Sequence, residues 1–146
     1  MIHLPSPAAT EAFGRALAPL LRPGDVVALY GELGAGKTLL ARGILRGLGF
    51  EGDVASPTFP IVQLYDGLAL PLWHVDLYRI DHPAEIGELG LDEALDEGAL
   101  VIEWPERLGP ALWPHALRLT LAREGEGARA LTAMVPAAWG GRWPPR

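Results

Sequence analysis

The chain has 146 residues, 49% of them hydrophobic and 21% charged, with a formal net charge of −6 at neutral pH. That length holds one domain with a real core and is short for two, and its apolar runs of a few residues are too short for a membrane span. The absence of cysteine excludes disulfides and thiolate metal sites, and the acidic balance argues against a tight grip on nucleic acid by this chain alone.

In chain order, Met1-Ile-His-Leu-Pro5 lacks the basic region and apolar segment of a signal peptide, so a cytoplasmic location is expected. Pro7 to Leu21 carries apolar residues at helical spacing, with Ser6 as N-cap and Pro23-Gly24 as stop. Asp25 to Tyr30 is an apolar run read as a buried strand, and Gly36 to Leu48 has helical spacing. Pro60 to Tyr65 and Leu70 to Asp76 read as two strands around Asp66-Gly67, a dipeptide that favours tight hairpin turns. Pro83 to Leu95 reads as helical pieces broken at Gly87 and Gly90. Ala99 to Glu103 is a continuous apolar run typical of a strand buried on both faces. His115 to Leu121 and Ala128 to Val135 are strand-like and flank Glu124-Gly-Glu-Gly127. The expectation is an α/β domain over residues 1–136, with a mixed parallel and antiparallel sheet flanked by helices, and a loosely held tail over 137–146.

Between the first strand and its helix lies Gly31-Glu32-Leu33-Gly34-Ala35-Gly36-Lys37-Thr38, followed by Leu39. The sequence fits the Walker A pattern in the strand-before, helix-after context that the pattern requires. Its glycines let backbone N–H groups curl around a phosphate, and the helix N-terminus adds partial positive charge. Lys37 is the only lysine beside eleven arginines. A compact ammonium fits between β- and γ-phosphate oxygens where a planar guanidinium would crowd them. Thr38 would offer its hydroxyl to Mg²⁺.

Glu103 ends a buried strand, where a Walker B acid belongs, able to hold Mg²⁺ or order its water; the alternative is a solvated acid at a strand end. In Ser56-Pro57-Thr58-Phe59, Thr58 could add a hydroxyl to the metal or to the attacking water, or simply cap a proline turn. His74, Asp76 and Tyr78 alternate with apolar residues and would share one strand face, which a partly exposed sheet explains. Asp76 could instead bind metal through water or act as a base. Guanine specificity through an Asn/Thr-Lys-x-Asp motif is excluded, because the chain has no asparagine and its one lysine is in the loop. A small-molecule P-loop kinase and a nucleotide-gated binding module remain as rivals.

Together, GELGAGKT, SPTF, HVDLYR and VIEWPERL resemble, in order and spacing, the TsaE (YjeE) family of bacterial ATPases. The resemblance implies a single small P-loop domain that binds ATP and Mg²⁺, hydrolyses ATP weakly alone, and works with TsaD and TsaB. Their product is threonylcarbamoyladenosine at position 37 of tRNAs reading ANN codons, with tRNA reached only through the complex. It also implies that residues 31–38 hold the nucleotide, that Thr38 and Glu103 are metal ligands with Asp76 a further acid, and that Thr58, His74 and Trp104 lie near the nucleotide or a partner surface. Thr10 and Trp104 are expected among the ATP-binding residues, with the helix that carries Thr10 and the segment after Trp104 as the expected neighbourhood of the adenine.

Overall fold

The structure is a computed structural model that describes residues 1–55, 57, 62–80 and 82–145. The Ser6 hydroxyl accepts the Ala9 N–H at 3.1 Å and Pro7 occupies the first turn, where no amide donor is needed, so helix α1 (Pro7–Leu17) starts where the sequence predicts. Around it come β1 (Ile2–Leu4), β2 (Val26–Tyr30), α2 (Lys37–Leu48), β3 (Val62–Tyr65), β4 (Leu72–Asp76), the short α3 (Leu91–Ala94), β5 (Ala99–Glu103), β6 (Leu117–Arg123) and β7 (Arg129–Met134). Segments of 3₁₀ helix lie at Ala18–Leu20, Pro83–Leu89, Pro105–Ala111 and Ala137–Trp139.

All seven strands form one sheet in the order β1-β7-β6-β2-β5-β4-β3. Its centre, β6-β2-β5-β4, is parallel, and antiparallel pairs β6/β7, β7/β1 and β4/β3 extend both sides, so the expected mixed α/β sheet is present. Strands β2 and β5, in the middle of the sheet, are apolar runs because both of their faces are covered. From β2 and β5, Val27, Leu29, Ala99 and Val101 join the core beneath α1 and α2, while Val26, Ala28, Leu100 and Ile102 join the core under the 3₁₀ segments and α3. The two helices meet closely because glycines face each other's backbones. A Cβ on Gly43 would collide with the Glu11 carbonyl, and one on Gly14 with the Leu40 carbonyl.

Three expectations are corrected. The β3/β4 hairpin pairs Tyr65 with Leu72, so residues 66–71 form the connection and Asp66-Gly67 only begins it. Strand β1 was not expected: a three-residue segment carries too little alternation to register, and it exists because β7 offers an edge. Nor is the C-terminal segment loosely held. Trp139 is fully buried in the larger core, Arg142 grips the Asp25 carboxylate at 2.7 and 3.2 Å, and Trp143 packs edge-on against Phe13. Proline and glycine enrichment suggested slack, yet here a tryptophan fills the space beside α1 and its neighbouring arginine stacks on the ring, 4.0 Å from its centroid.

Candidate nucleotide site

The loop 31–36 leaves β2 at the C-terminal end of the parallel strands, where open α/β sheets bind ligands. Gly31, Gly34 and Gly36 have φ of +146°, +79° and +103°, conformations that side chains resist. A Cβ on Gly31 would also strike the carbonyl of Leu121 in the adjacent β6. Leu33 stands exposed at the loop's tip, while Ala35 is buried beneath it. Lys37 and Thr38 open α2, so the lysine, the threonine and the helix N-terminus converge on one cleft of about 440 Å³. That cleft is lined by Leu33, Gly34, Gly36, Lys37, Thr38 and Leu39 from the loop and helix, and from across it by Pro57, Asp76, Tyr78, Arg79, Glu103 and Trp104.

Lys37 Nζ donates to the Gly31 carbonyl at 2.6 Å and sits 3.4 Å from the centroid of the Trp104 ring. Burial pushes its pKa below the ordinary lysine range, partly opposed by the carboxylates of Glu103, Glu106 and Asp76. Trp104 packs on Tyr78 with ring centroids 4.8 Å apart. It is the one described non-glycine residue with positive φ, at +60°, a conformation that costs roughly 1–2 kcal/mol. The turn directly after β5 thus turns the indole back over the lysine.

Glu103, at the end of β5, is 3% exposed and held from two sides. The Thr38 hydroxyl donates to its carboxylate, with Oγ1 at 3.0 and 3.1 Å from the two oxygens, and His74 Nε2 lies 2.6 Å from Oε2. His74 is fully buried, while Asp76 on the same strand face is half-buried. Its Nδ1 has no partner among the described residues. A carboxylate oxygen only accepts, so Nε2 carries the proton of the contact with Glu103. Register places Asp76 of β4 beside Glu103 of β5, so the two acids end adjacent parallel strands. Asp76 is half-buried and Oδ1 accepts the Tyr78 N–H at 2.9 Å. Tyr78 lies beyond the strand end and is exposed, so the predicted common face stops at Asp76.

Of the remaining predicted residues, Thr10 is 1% exposed, with its methyl under Gly36; it supports the loop and offers no surface to a base. Thr58 lies outside the described residues. Sequence reasoning missed Arg123 and Arg129, whose guanidinium groups bond to loop carbonyls. Only their cross-strand register links them to the loop, and no local motif reveals that. A hard divalent cation fits the oxygens present, since Mg²⁺ binds protein through one or two oxygen ligands and completes its shell with waters and substrate phosphates. No group of three or more His, Cys, Asp or Glu side chains that could hold a metal occurs among the described residues. Nor, among them, is any helix long and apolar enough to cross a membrane.

The family model for threonylcarbamoyl adenosine biosynthesis protein TsaE matches residues 4–131. The chain belongs to the TsaE family. Its relatives include the tRNA threonylcarbamoyladenosine biosynthesis protein TsaE of Streptomyces coelicolor, 44% identical over 134 residues, covering 89% of this chain and 90% of the relative. The TsaE protein of Bacillus subtilis is 38% identical over 128 residues, covering 87% and 80% of the two chains. The crystal structure of Bacillus subtilis YdiB superposes with a TM-score of 0.80 at 33% identity, covering 94% of this chain and 85% of that one. The matched stretch includes the whole cleft as well as Arg123 and Arg129, and it ends at residue 131, before the packed C-terminal segment.

Proposed function

We propose that the chain is a Mg²⁺-dependent ATPase with weak activity alone, stimulated by TsaD and TsaB, and serving threonylcarbamoyl modification of adenosine 37 in tRNAs that read ANN codons. The carrying observation is the convergence of Lys37 and Thr38 on Glu103 across adjacent parallel strands, at the mouth of a glycine loop. Family membership and the names of the relatives support the pathway. The net charge of −6 supports contact with tRNA through a complex rather than by this chain directly.

In this reading the loop amides and Lys37 hold the phosphates, with the ammonium moving from the Gly31 carbonyl to phosphate oxygens. Thr38 and Glu103 would supply the oxygens that hold Mg²⁺, whose charge would offset that of the nucleotide phosphates. His74 keeps Glu103 pointed at Thr38. Asp76, which lines the cleft, would orient water there, and Trp104 would shield the lysine from solvent.

The test is ATP turnover by the chain alone and with purified TsaD and TsaB, with Lys37→Ala as control. Slow turnover that rises on adding the pair, and vanishes in the variant, is the expected result. Brisk turnover indifferent to the pair would favour a free-standing kinase or hydrolase. An unchanged Lys37→Ala variant would remove the loop from the chemistry altogether.

A further inference from the structure

Every carbonyl from Gly31 to Gly36 accepts a hydrogen bond. Gly31 accepts from Lys37, Glu32 from the Ala35 N–H and Gly36 from the Leu40 N–H. The three between come from the β6/β7 hairpin or depend on it. Arg123 Nη2 donates to Leu33 at 3.2 Å, while Arg129 donates through Nη2 to Gly34 at 3.2 Å and through Nε to Ala35 at 2.7 Å. Arg129 is itself braced, because its Nη1 donates to the Ala128 carbonyl at 2.8 Å. Arg123 and Arg129 face each other in the antiparallel register, one ending β6 and the other starting β7, so a single hairpin end presents both guanidiniums to the loop.

We propose that Arg129, with Arg123 beside it, is a positioning residue for phosphate binding: the pair clasps the loop's carbonyls and so fixes the loop in the shape that receives an anion. A glycine-rich loop left to itself would sample many backbone states, and its carbonyls would repel a phosphate whenever they turned inward. A guanidinium suits this task because its rigid fork engages two neighbouring carbonyls at once, and its permanent charge strengthens each bond. The clasp also sets two cations behind the phosphate site of an otherwise acidic chain.

The inference rests on the nucleotide reading above, and the experiment separates the two. ATP and ADP affinities are measured by calorimetry for the full chain and for Arg129→Ala, Arg129→Lys and Arg123→Ala. Thr132→Ala, an exposed change on the same strand, controls for simple weakening of the hairpin. Thermal unfolding is followed alongside, and the ³¹P resonance of the bound ADP β-phosphate reports loop shape. The expected result is about a tenfold or greater loss of affinity in Arg129→Ala, a smaller loss in Arg123→Ala, and partial recovery in Arg129→Lys. The ³¹P resonance should shift in Arg129→Ala but not in Thr132→Ala. Wild-type affinity and an unmoved resonance in Arg129→Ala overturn the clasp while leaving the nucleotide reading intact. So does a loss of affinity that Thr132→Ala reproduces at equal loss of melting temperature. A wild-type chain that binds no ATP overturns the nucleotide reading and the clasp with it.

Discussion

Replacing His74 by phenylalanine fills nearly the same space while removing the donor that lies 2.6 Å from Glu103 Oε2. Both side chains are buried, at 0% and 3% exposure, so water cannot readily replace the lost bond. A hydrogen bond to a charged acceptor contributes roughly 1.5–3 kcal/mol, so the variant should lose about 2 kcal/mol of stability. For a domain of this size that is a fall in Tm of about 4–8 °C. His74→Ala should lose about 1–2 kcal/mol more, because an empty ring-sized space is added to the missing donor. Calorimetric or circular-dichroism melts of the three proteins measure both differences. A phenylalanine variant melting with the wild type would show that the short contact contributes no net stability, and that Glu103 is aimed by its other neighbours.

Two further outcomes follow from the same physics. Trp139→Ala should lose about 3–5 kcal/mol in denaturant unfolding, since the indole is fully buried; a loss under about 0.5 kcal/mol would mean that the C-terminal segment only rests on the surface. Lys37 gives a pH dependence: its folded pKa lies below the unfolded value, so the unfolded chain binds more protons in the alkaline window between them, and this group's contribution to stability rises with pH there. Nucleotide phosphates favour the ammonium, so ATP binding should take up protons in that window and weaken as pH rises through it. Calorimetric titrations in two buffers of different ionisation enthalpy read the uptake, and Lys37→Ala should abolish the difference between them.

The sequence made the loop legible because its chemistry is local: the spacing of glycines, lysine and threonine is itself the structure. Strands β2 and β5 were equally readable, since burial on both faces leaves an unbroken apolar run. What pattern reading missed depends on the partner across the sheet. Nothing in His74-Val-Asp76 distinguishes a histidine on an open sheet face from one locked against an acid on the neighbouring strand, because the parallel register is a tertiary fact. The Arg123/Arg129 pair is hidden for the same reason, and β1 exists only through β7. The C-terminal segment misled because proline and glycine report backbone freedom, whereas the burial of Trp139 is decided by a vacancy on the domain's far side.

The way the sheet is threaded also constrains when the protein can assemble. Ile2 pairs with Leu131, and Asp25, just ahead of β2, is held by Arg142. Early segments therefore wait for segments more than 100 residues later, Ile2 for Leu131 and Asp25 for Arg142, and such long-range closure is slow to form. On the ribosome, β1 has no strand to join and the core beside α1 has no tryptophan to fill it until residues 129–142 have emerged. A nascent chain lacking those residues exposes the apolar surface that Trp139 covers and is open to aggregation and proteolysis.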